Sequence, residues 1–307
     1  MNFHGVFTAL VTPFDSLGRL DLTAFKKILD DQANAHVTGV VVCGTTGETP
    51  TLEEKEKQDL ITTAIKHLKG SGLLVLAGTG SNSTTKTIQA SQWAESAGVD
   101  GLLIVTPYYN KPTQAGLLAH FVAVANALKQ TPIMLYNVPG RTGVSFTSET
   151  VAKLSSHPRI RAIKEASGRV PMITEIQDEI KKQKTPALDI FSGDDVNFLP
   201  SLPLGACGIV SVASNLFPRA MVDLYTKFKQ NDLQGAVEIH EKYLPLFKDL
   251  FIESNPGPVK AALARLGICR EDMRLPLVTL SESNRKILFQ SMDQCGLTAS
   301  GVTAWEK

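Results

Sequence analysis

The feature that most restricts the fold is a repetition. From residue 5 to about 230, short β-branched and apolar runs alternate eight times with longer segments of helical period. The runs at 6–10, 39–43, 73–77, 101–105, 133–136, 161–164, 188–191 and 208–212 read as strands, and each is followed by a stretch with apolar residues at helical spacing. Strands separated by helices pair in parallel rather than as hairpins. Eight such units in succession predict an α/β fold of the (β/α)8 TIM-barrel type. An open doubly wound sheet is the competing layout. It expects a glycine-rich turn after its first strand, where Val11-Thr12-Pro13-Phe14 stands instead.

Helix starts fit the same division: Asp21 precedes an amphipathic run at 22–31, Thr51 precedes Leu52-Glu53-Glu54, and Ser148 precedes Glu149. After residue 230 the strand runs cease. Helical patterns at 232–252, 256–267 and 282–296 predict a C-terminal helical extension, so the chain divides into a barrel at 1–230 and a helical domain at 231–307. A chain of 307 residues, 43% hydrophobic, has enough apolar surface for a large core.

Lys+Arg 31 against Asp+Glu 30 leaves a formal net charge of +1 without a basic stripe, which argues against nucleic acid or an anionic membrane as partner. The N-terminal Met1-Asn2-Phe3-His4-Gly5 lacks the basic, apolar, small-residue order of a signal peptide, and no apolar run approaches a membrane span. Cys43, Cys207, Cys269 and Cys295 lie far apart with no CxxC or Cys/His cluster, a pattern that points away from a disulfide framework or a zinc site. A reducing, cytoplasmic location is the expectation.

In a parallel barrel the chemistry sits just beyond the carboxyl ends of the strands. After the second strand comes Gly44-Thr45-Thr46-Gly47-Glu48, whose glycines permit a tight turn with N–H groups aimed at an anion and whose threonines supply hydroxyls. The same segment also suits an ordinary loop feeding a helix cap. The fifth strand ends Tyr136-Asn137-Val138-Pro139-Gly140-Arg141-Thr142-Gly143, with a phenol at the barrel mouth and a guanidinium on the loop above. Tyr136 can equally cap the core, and Arg141 can equally form a surface ion pair.

The sixth strand carries the sharpest signal. In Ile160-Arg161-Ala162-Ile163-Lys164 the two-residue alternation puts Ala162 and Lys164 on one face and Arg161 and Ile163 on the other. With Ile163 toward the helices, Lys164 points into the barrel, where burial disfavours an ammonium, and a neutral amine is a nucleophile. A strand-end lysine can also snorkel to water. Tyr136 and Thr46 favour the nucleophile, because a Schiff base needs a neighbouring group to shuttle protons through its carbinolamine. Other strand ends add Thr106-Pro107-Tyr108-Tyr109-Asn110, Ser192-Gly193-Asp194-Asp195 and Ser211-Val212-Ala213-Ser214-Asn215. The paired aspartates read as acid/base groups, as magnesium ligands or as a helix cap.

Together these segments, with Ile163-Lys164-Glu165-Ala166 and Phe251-Ile252-Glu253-Ser254-Asn255-Pro256, resemble the class I pyruvate-dependent aldolases over nearly the whole chain and in the same order. The likeness is to the branch that condenses pyruvate with L-aspartate 4-semialdehyde to give 4-hydroxy-tetrahydrodipicolinate, in lysine and diaminopimelate biosynthesis. It implies that Lys164 forms the Schiff base with pyruvate and that Tyr136, Thr46 and Tyr109 form a proton relay, with Tyr109 supplied by a neighbouring subunit. It further implies that Thr45 and Thr46 hold the pyruvate carboxylate, that Gly193 and Val210 line the pocket through backbone groups, and that Arg141 clasps the semialdehyde carboxylate. A homotetramer, as a dimer of tight dimers, is implied too, with no metal and no organic cofactor.

N-acetylneuraminate lyases and sugar-acid aldolases resemble the chain in the lysine and tyrosine but lack the Tyr136 to Gly143 segment as it stands here. A non-catalytic barrel that binds small acids through Lys164 and Arg141 is the alternative from another class. A metal-dependent aldolase needs a His/Asp/Glu cluster, and none of the six histidines falls at the carboxyl end of a strand. Two departures from the resembled family stand out. Lysine-inhibited members carry histidines where Glu54 and Lys57 stand and a glutamate where Lys86 stands, so weak or absent lysine feedback is expected although Asn82 and Tyr108 are retained. Gly257, between Pro256 and Pro258, replaces the usual aliphatic residue and is expected to loosen the start of the extension.

Overall fold

The computed structural model describes residues 3–298. Eight parallel strands form a closed barrel in chain order: β1 (Gly5–Ala9), β2 (Gly39–Val42), β3 (Leu74–Gly78), β4 (Gly101–Val105), β5 (Ile133–Asn137), β6 (Ile160–Glu165), β7 (Asp189–Ser192) and β8 (Gly208–Ser211). The strands are near-continuous apolar runs because both faces of such a sheet are covered. Ile104, Leu135, Ile163, Ile190 and Val210 are all completely or almost completely buried. The interleaved helices are α1 (Leu22–Asn34), α2 (Glu54–His67), α3 (Thr84–Ala97), α4 (Gln114–Asn126), the single turn α5 (Pro139–Thr142), α6 (Ser148–Ser155), α7 (Met172–Gln183), the single turn α8 (Phe198–Ser201) and α9 (Pro218–Lys229). Beyond residue 230 come α10 (Leu233–Asp249), α11 (Gly257–Arg265) and α12 (Glu282–Gln294), the helical extension the sequence predicts.

By compactness the chain falls into two units, one of residues up to Gly5 with Leu74–Val210 and one of Val6–Leu73 with the residues from Ser211 onward. In the first, α3, α4, α6 and α7 pack in succession, and β4, β5, β6 and β7 pair in parallel in that order. In the second, α1 packs on α2, and α10 packs on both α9 and α12. The ring of Phe217, just before α9, stacks on Tyr243 of α10 with centroids 4.4 Å apart.

Capping sets the starts of α1, α2 and α6. Asp21 accepts from the backbone N–H groups of Thr23 and Ala24, as expected. Thr51 does not cap α2. Its hydroxyl donates backwards to the Glu48 carbonyl, and the start passes to Glu53, which forms a reciprocal capping box with Glu56. The cap of α6 is Thr147 rather than Ser148, with Thr147 Oγ1 accepting from Thr150 N–H at 3.2 Å. A register shift between Ile133 and Met134 lets β6 carry one extra residue, and Arg161 is exposed there between buried Ile160 and Ala162.

Candidate active site

The candidate residues fall in both units, and each half is organised internally. In the unit holding β3 to β8, the register pairs Tyr136 with Lys164, so the two side chains leave the sheet on the same face. Lys164 is only 5% exposed and Tyr136 6%. The Lys164 Nζ lies 4.4 Å from the Tyr136 ring centroid. Among the described residues Lys164 has no carboxylate partner. Gly193 is the residue that makes room for this amine: a Cβ there would stand 2.9 Å from Lys164 Cε and 2.6 Å from Ala166 Cβ. Its N–H donates to the Glu165 carbonyl at 2.7 Å, which fixes the end of β7 beside the end of β6. Val210, at the end of β8, is completely buried.

Asn137 and Glu165 hold the rim. Asn137 Nδ2 donates to Glu165 Oε2 at 2.8 Å, Glu165 Oε1 accepts from Ser167 N–H at 2.7 Å, and Asn137 Oδ1 accepts from Phe146 N–H at 3.1 Å. The loop bearing Arg141 is the single turn α5, closed by Gly143 at φ +72. Thr106 donates to Thr142, whose hydroxyl donates to the Val144 carbonyl, tying α5 to the end of β4. Arg141 itself is exposed.

Tyr109 stands apart. It is 90% exposed and sits at φ +73, a left-handed conformation that costs a side-chain-bearing residue about 1–2 kcal/mol. Its chain neighbour Asn110 anchors the loop by donating to the Asn82 carbonyl at 2.9 Å. Asp194 resolves as a turn former: its carboxylate accepts from Val196 N–H and Asn197 Nδ2, and burial pushes it above the ordinary carboxylate range. A cavity of about 610 Å3, lined by Phe3, Asp100, Pro132 and Arg161 among others, opens at the strand entries and is lined by none of the candidate site residues.

In the other unit, the Gly44–Glu48 segment follows β2. Thr45 is half-buried and Thr46 buried. Asn255 Nδ2 donates to Thr46 Oγ1 at 2.9 Å, so the Thr46 hydroxyl proton is left to donate elsewhere. Gly47 is needed because a Cβ there would press on the Leu10 carbonyl at 3.2 Å, and Thr12 donates to the Gly47 carbonyl at 2.7 Å. Glu48, at φ +55, is completely buried with Lys260, which is on α11; their charged atoms are 2.7 Å apart. Lys260 also donates to the carbonyls of Thr12 and Asp272, and Glu48 accepts from Arg274 N–H. Burial lowers the Lys260 ammonium and Glu48 opposes that shift. Sequence reasoning missed Lys260 and gave Asn255 no role. The available signal was a lysine inside the otherwise apolar Val259-Lys260-Ala261-Ala262-Leu263.

A family model described as the dihydrodipicolinate synthetase family matches residues 2–294. The chain is 46% identical, over 95% of its length and 99% of the relative's, to a 4-hydroxy-tetrahydrodipicolinate synthase of Leptospira biflexa. Among solved structures it is similar to the 4-hydroxy-tetrahydrodipicolinate synthase of Methylacidiphilum fumariolicum, at TM-score 0.92 and 39% identity over 99% of both chains. It is likewise similar to a chloride-inhibited dihydrodipicolinate synthase of Acinetobacter baumannii complexed with pyruvate, at TM-score 0.92 and 37% identity over 96% of this chain and 100% of that one.

Proposed function

The chain belongs to the dihydrodipicolinate synthetase family, and on that premise we propose that it condenses pyruvate with L-aspartate 4-semialdehyde to 4-hydroxy-tetrahydrodipicolinate through a Schiff base on Lys164. The observation that carries this reading is the setting of Lys164: buried, without a carboxylate partner among the described residues, and lying over a tyrosine ring.

The Lys164 amine attacks the keto carbon of pyruvate, and loss of water from the carbinolamine gives an iminium. Loss of a methyl proton gives the enamine, whose carbon attacks the aldehyde of the semialdehyde. The semialdehyde's amino group then adds to the imine carbon and expels Lys164, closing the ring and restoring the free amine. Protons move through Tyr136, Thr46 and Tyr109. Thr46 suits this relay because Asn255 donates to its oxygen and leaves its own proton available. Thr45 and Thr46 hold the pyruvate carboxylate, Gly193 and Val210 line the pocket with backbone, and Arg141 takes the semialdehyde carboxylate in its guanidinium fork. No step calls for a metal or an organic cofactor.

Tyr109 acts in a neighbouring subunit's site, within a homotetramer built as a dimer of dimers. Its exposure and left-handed backbone support that role, since a strained, projecting aromatic gains contacts when a second copy covers it. The chemistry lies within 1–230, and 231–307 supports it through Asn255 and Lys260. The enzyme works in the cytoplasm; among the described residues no helix is long and apolar enough to cross a membrane.

Arg141→Ala tests the aldehyde assignment. Semialdehyde condensation is expected to fall by about 10–100-fold, as for loss of a charge-assisted hydrogen bond worth about 1.5–3 kcal/mol, while pyruvate capture by Lys164 persists. Cleavage of N-acetylneuraminate by the wild-type protein in preference to condensation would assign the chain to the lyase reaction instead.

A further inference from the structure

At the entries of the strands, the end opposite the one that carries Tyr136 and Lys164, His4, Asp189 and Cys207 come together. His4 immediately precedes β1, Asp189 opens β7 and Cys207 immediately precedes β8. Their ligand atoms, one imidazole nitrogen, one carboxylate oxygen and one thiol sulfur, all lie within 4.8 Å of one another. His4 Nε2 and Asp189 Oδ1 are 3.2 Å apart.

The backbone enforces this meeting. Gly5 N–H donates to the Cys207 carbonyl at 2.9 Å, and Cys207 N–H donates to the Ile190 carbonyl at 2.8 Å. The approach of the chain at Gly5 to Gly208 is so close that a Cβ on Gly208 would stand 1.9 Å from the Gly5 carbonyl oxygen. Cys207 makes both hydrogen bonds itself, Asp189 is in register with Ala162 of β6, and His4 adjoins Gly5, so the three side chains are carried by backbone that is already ordered. A ligand joining them does not have to order the chain first.

We propose that His4, Asp189 and Cys207 form a binding site for a divalent, borderline-soft cation, zinc. A nitrogen, an oxygen and a sulfur donor together match zinc and not the all-oxygen shells of magnesium or calcium. Tetrahedral bonds of about 2.0–2.3 Å place neighbouring donors roughly 3.2–3.7 Å apart. The His4 to Asp189 spacing is already of that size, and the sulfur needs a shift of about an ångström. Three protein ligands leave the fourth position to water, and the side chains of His4 and Asp189 are 43% and 34% exposed, so the ion has an entry path. The Cys207 sulfhydryl, whose sulfur lies 3.3 Å from the Ile190 carbonyl, gives its proton to the buffer as the thiolate takes the metal. The bound ion fastens His4, ahead of β1, to the entries of β7 and β8. A bare His4 to Asp189 ion pair is the simpler reading, and it makes no use of the sulfur.

The test is a cobalt(II) titration of the full-length, tag-free protein with a phosphine reductant, followed by displacement with zinc. The wild type is expected to bind one equivalent per chain and to show a thiolate-to-cobalt charge-transfer band that zinc abolishes. The near-isosteric Cys207→Ser is expected to lose the band. Cys207→Ser, His4→Ala and Asp189→Asn are each expected to bind at least about tenfold more weakly, since loss even of a residue that only supports a ligand costs about 10–100-fold. All three should keep the wild-type rate of condensation, which confirms that they fold. Absence of the band in the wild type overturns the proposal. So does a band that survives His4→Ala and Asp189→Asn at wild-type strength, which would mark a simple thiol adduct.

Discussion

Among the described residues, two lysines are buried, in opposite settings. Lys260 meets the Glu48 carboxylate and two backbone carbonyls, whereas Lys164 meets the face of Tyr136 and, among the described residues, no carboxylate. The first arrangement keeps an ammonium in place; the second suits an amine that must react. The same substitution should therefore act oppositely on stability. Lys260→Met strands a buried carboxylate and should cost about 3–5 kcal/mol in urea unfolding. Lys164→Met removes a buried polar group without stranding a partner and should leave stability unchanged or raised, while condensation is lost. Equal destabilisation by the two would remove the distinction. Lys164 was legible in the sequence because strand alternation and a nearby phenol suffice to single it out. Lys260 was not, because its partner Glu48 lies 212 residues away and nothing local records a long-range ion pair.

At the scale of elements, every predicted strand lies within about one residue of its observed bounds, because short apolar runs between helices leave little freedom of register. The helix starts were less legible. Thr49 and Thr51 donate their hydroxyls to the carbonyls of Cys43, Gly44 and Glu48, which builds the Gly44–Glu48 turn and leaves neither as a cap. Gly257 begins α11, and a Cβ there would make only an ordinary contact with Met273, so the missing side chain is not demanded by crowding. One loop is held by a carboxylate: Glu95 at the end of α3 accepts from the backbone N–H groups of Lys129, Gln130 and Thr131. Burial raises its pKa, but these donors outweigh it and hold the group down at about 2, against 4.5 ordinarily. A carboxylate with a depressed folded pKa contributes stability that is complete above its unfolded value and lost as pH falls through the folded one. The stability difference between wild type and Glu95→Gln should therefore be constant above about pH 4.5 and shrink from there toward pH 2. A difference independent of pH over that range in thermal unfolding would show that the carboxylate charge does not hold this loop.

For the molecule as a whole, the proposed chemistry needs more than one copy of the chain. Tyr109 is 90% exposed in one subunit, and its proposed relay role requires a neighbour. Mixing Lys164→Ala subunits with Tyr109→Phe subunits after dissociation should restore activity, because the intact Lys164 of one subunit then meets the intact Tyr109 of the other. If Tyr109 served its own subunit, every hybrid site would lack one group and no recovery would follow. The barrel and its reactive strand end were readable from eight repeated units, while the contributions of Asn255 and Lys260, and the meeting of His4, Asp189 and Cys207, depend on contacts that only closure of the chain creates. The most direct test of the central claim is reduction with borohydride in the presence of pyruvate, followed by peptide mass mapping. One reduced pyruvyl group per chain, carried on Lys164 and absent from Lys164→Arg, is the predicted result; a protein that condenses its substrates yet yields no adduct, or carries it on another residue, contradicts the account.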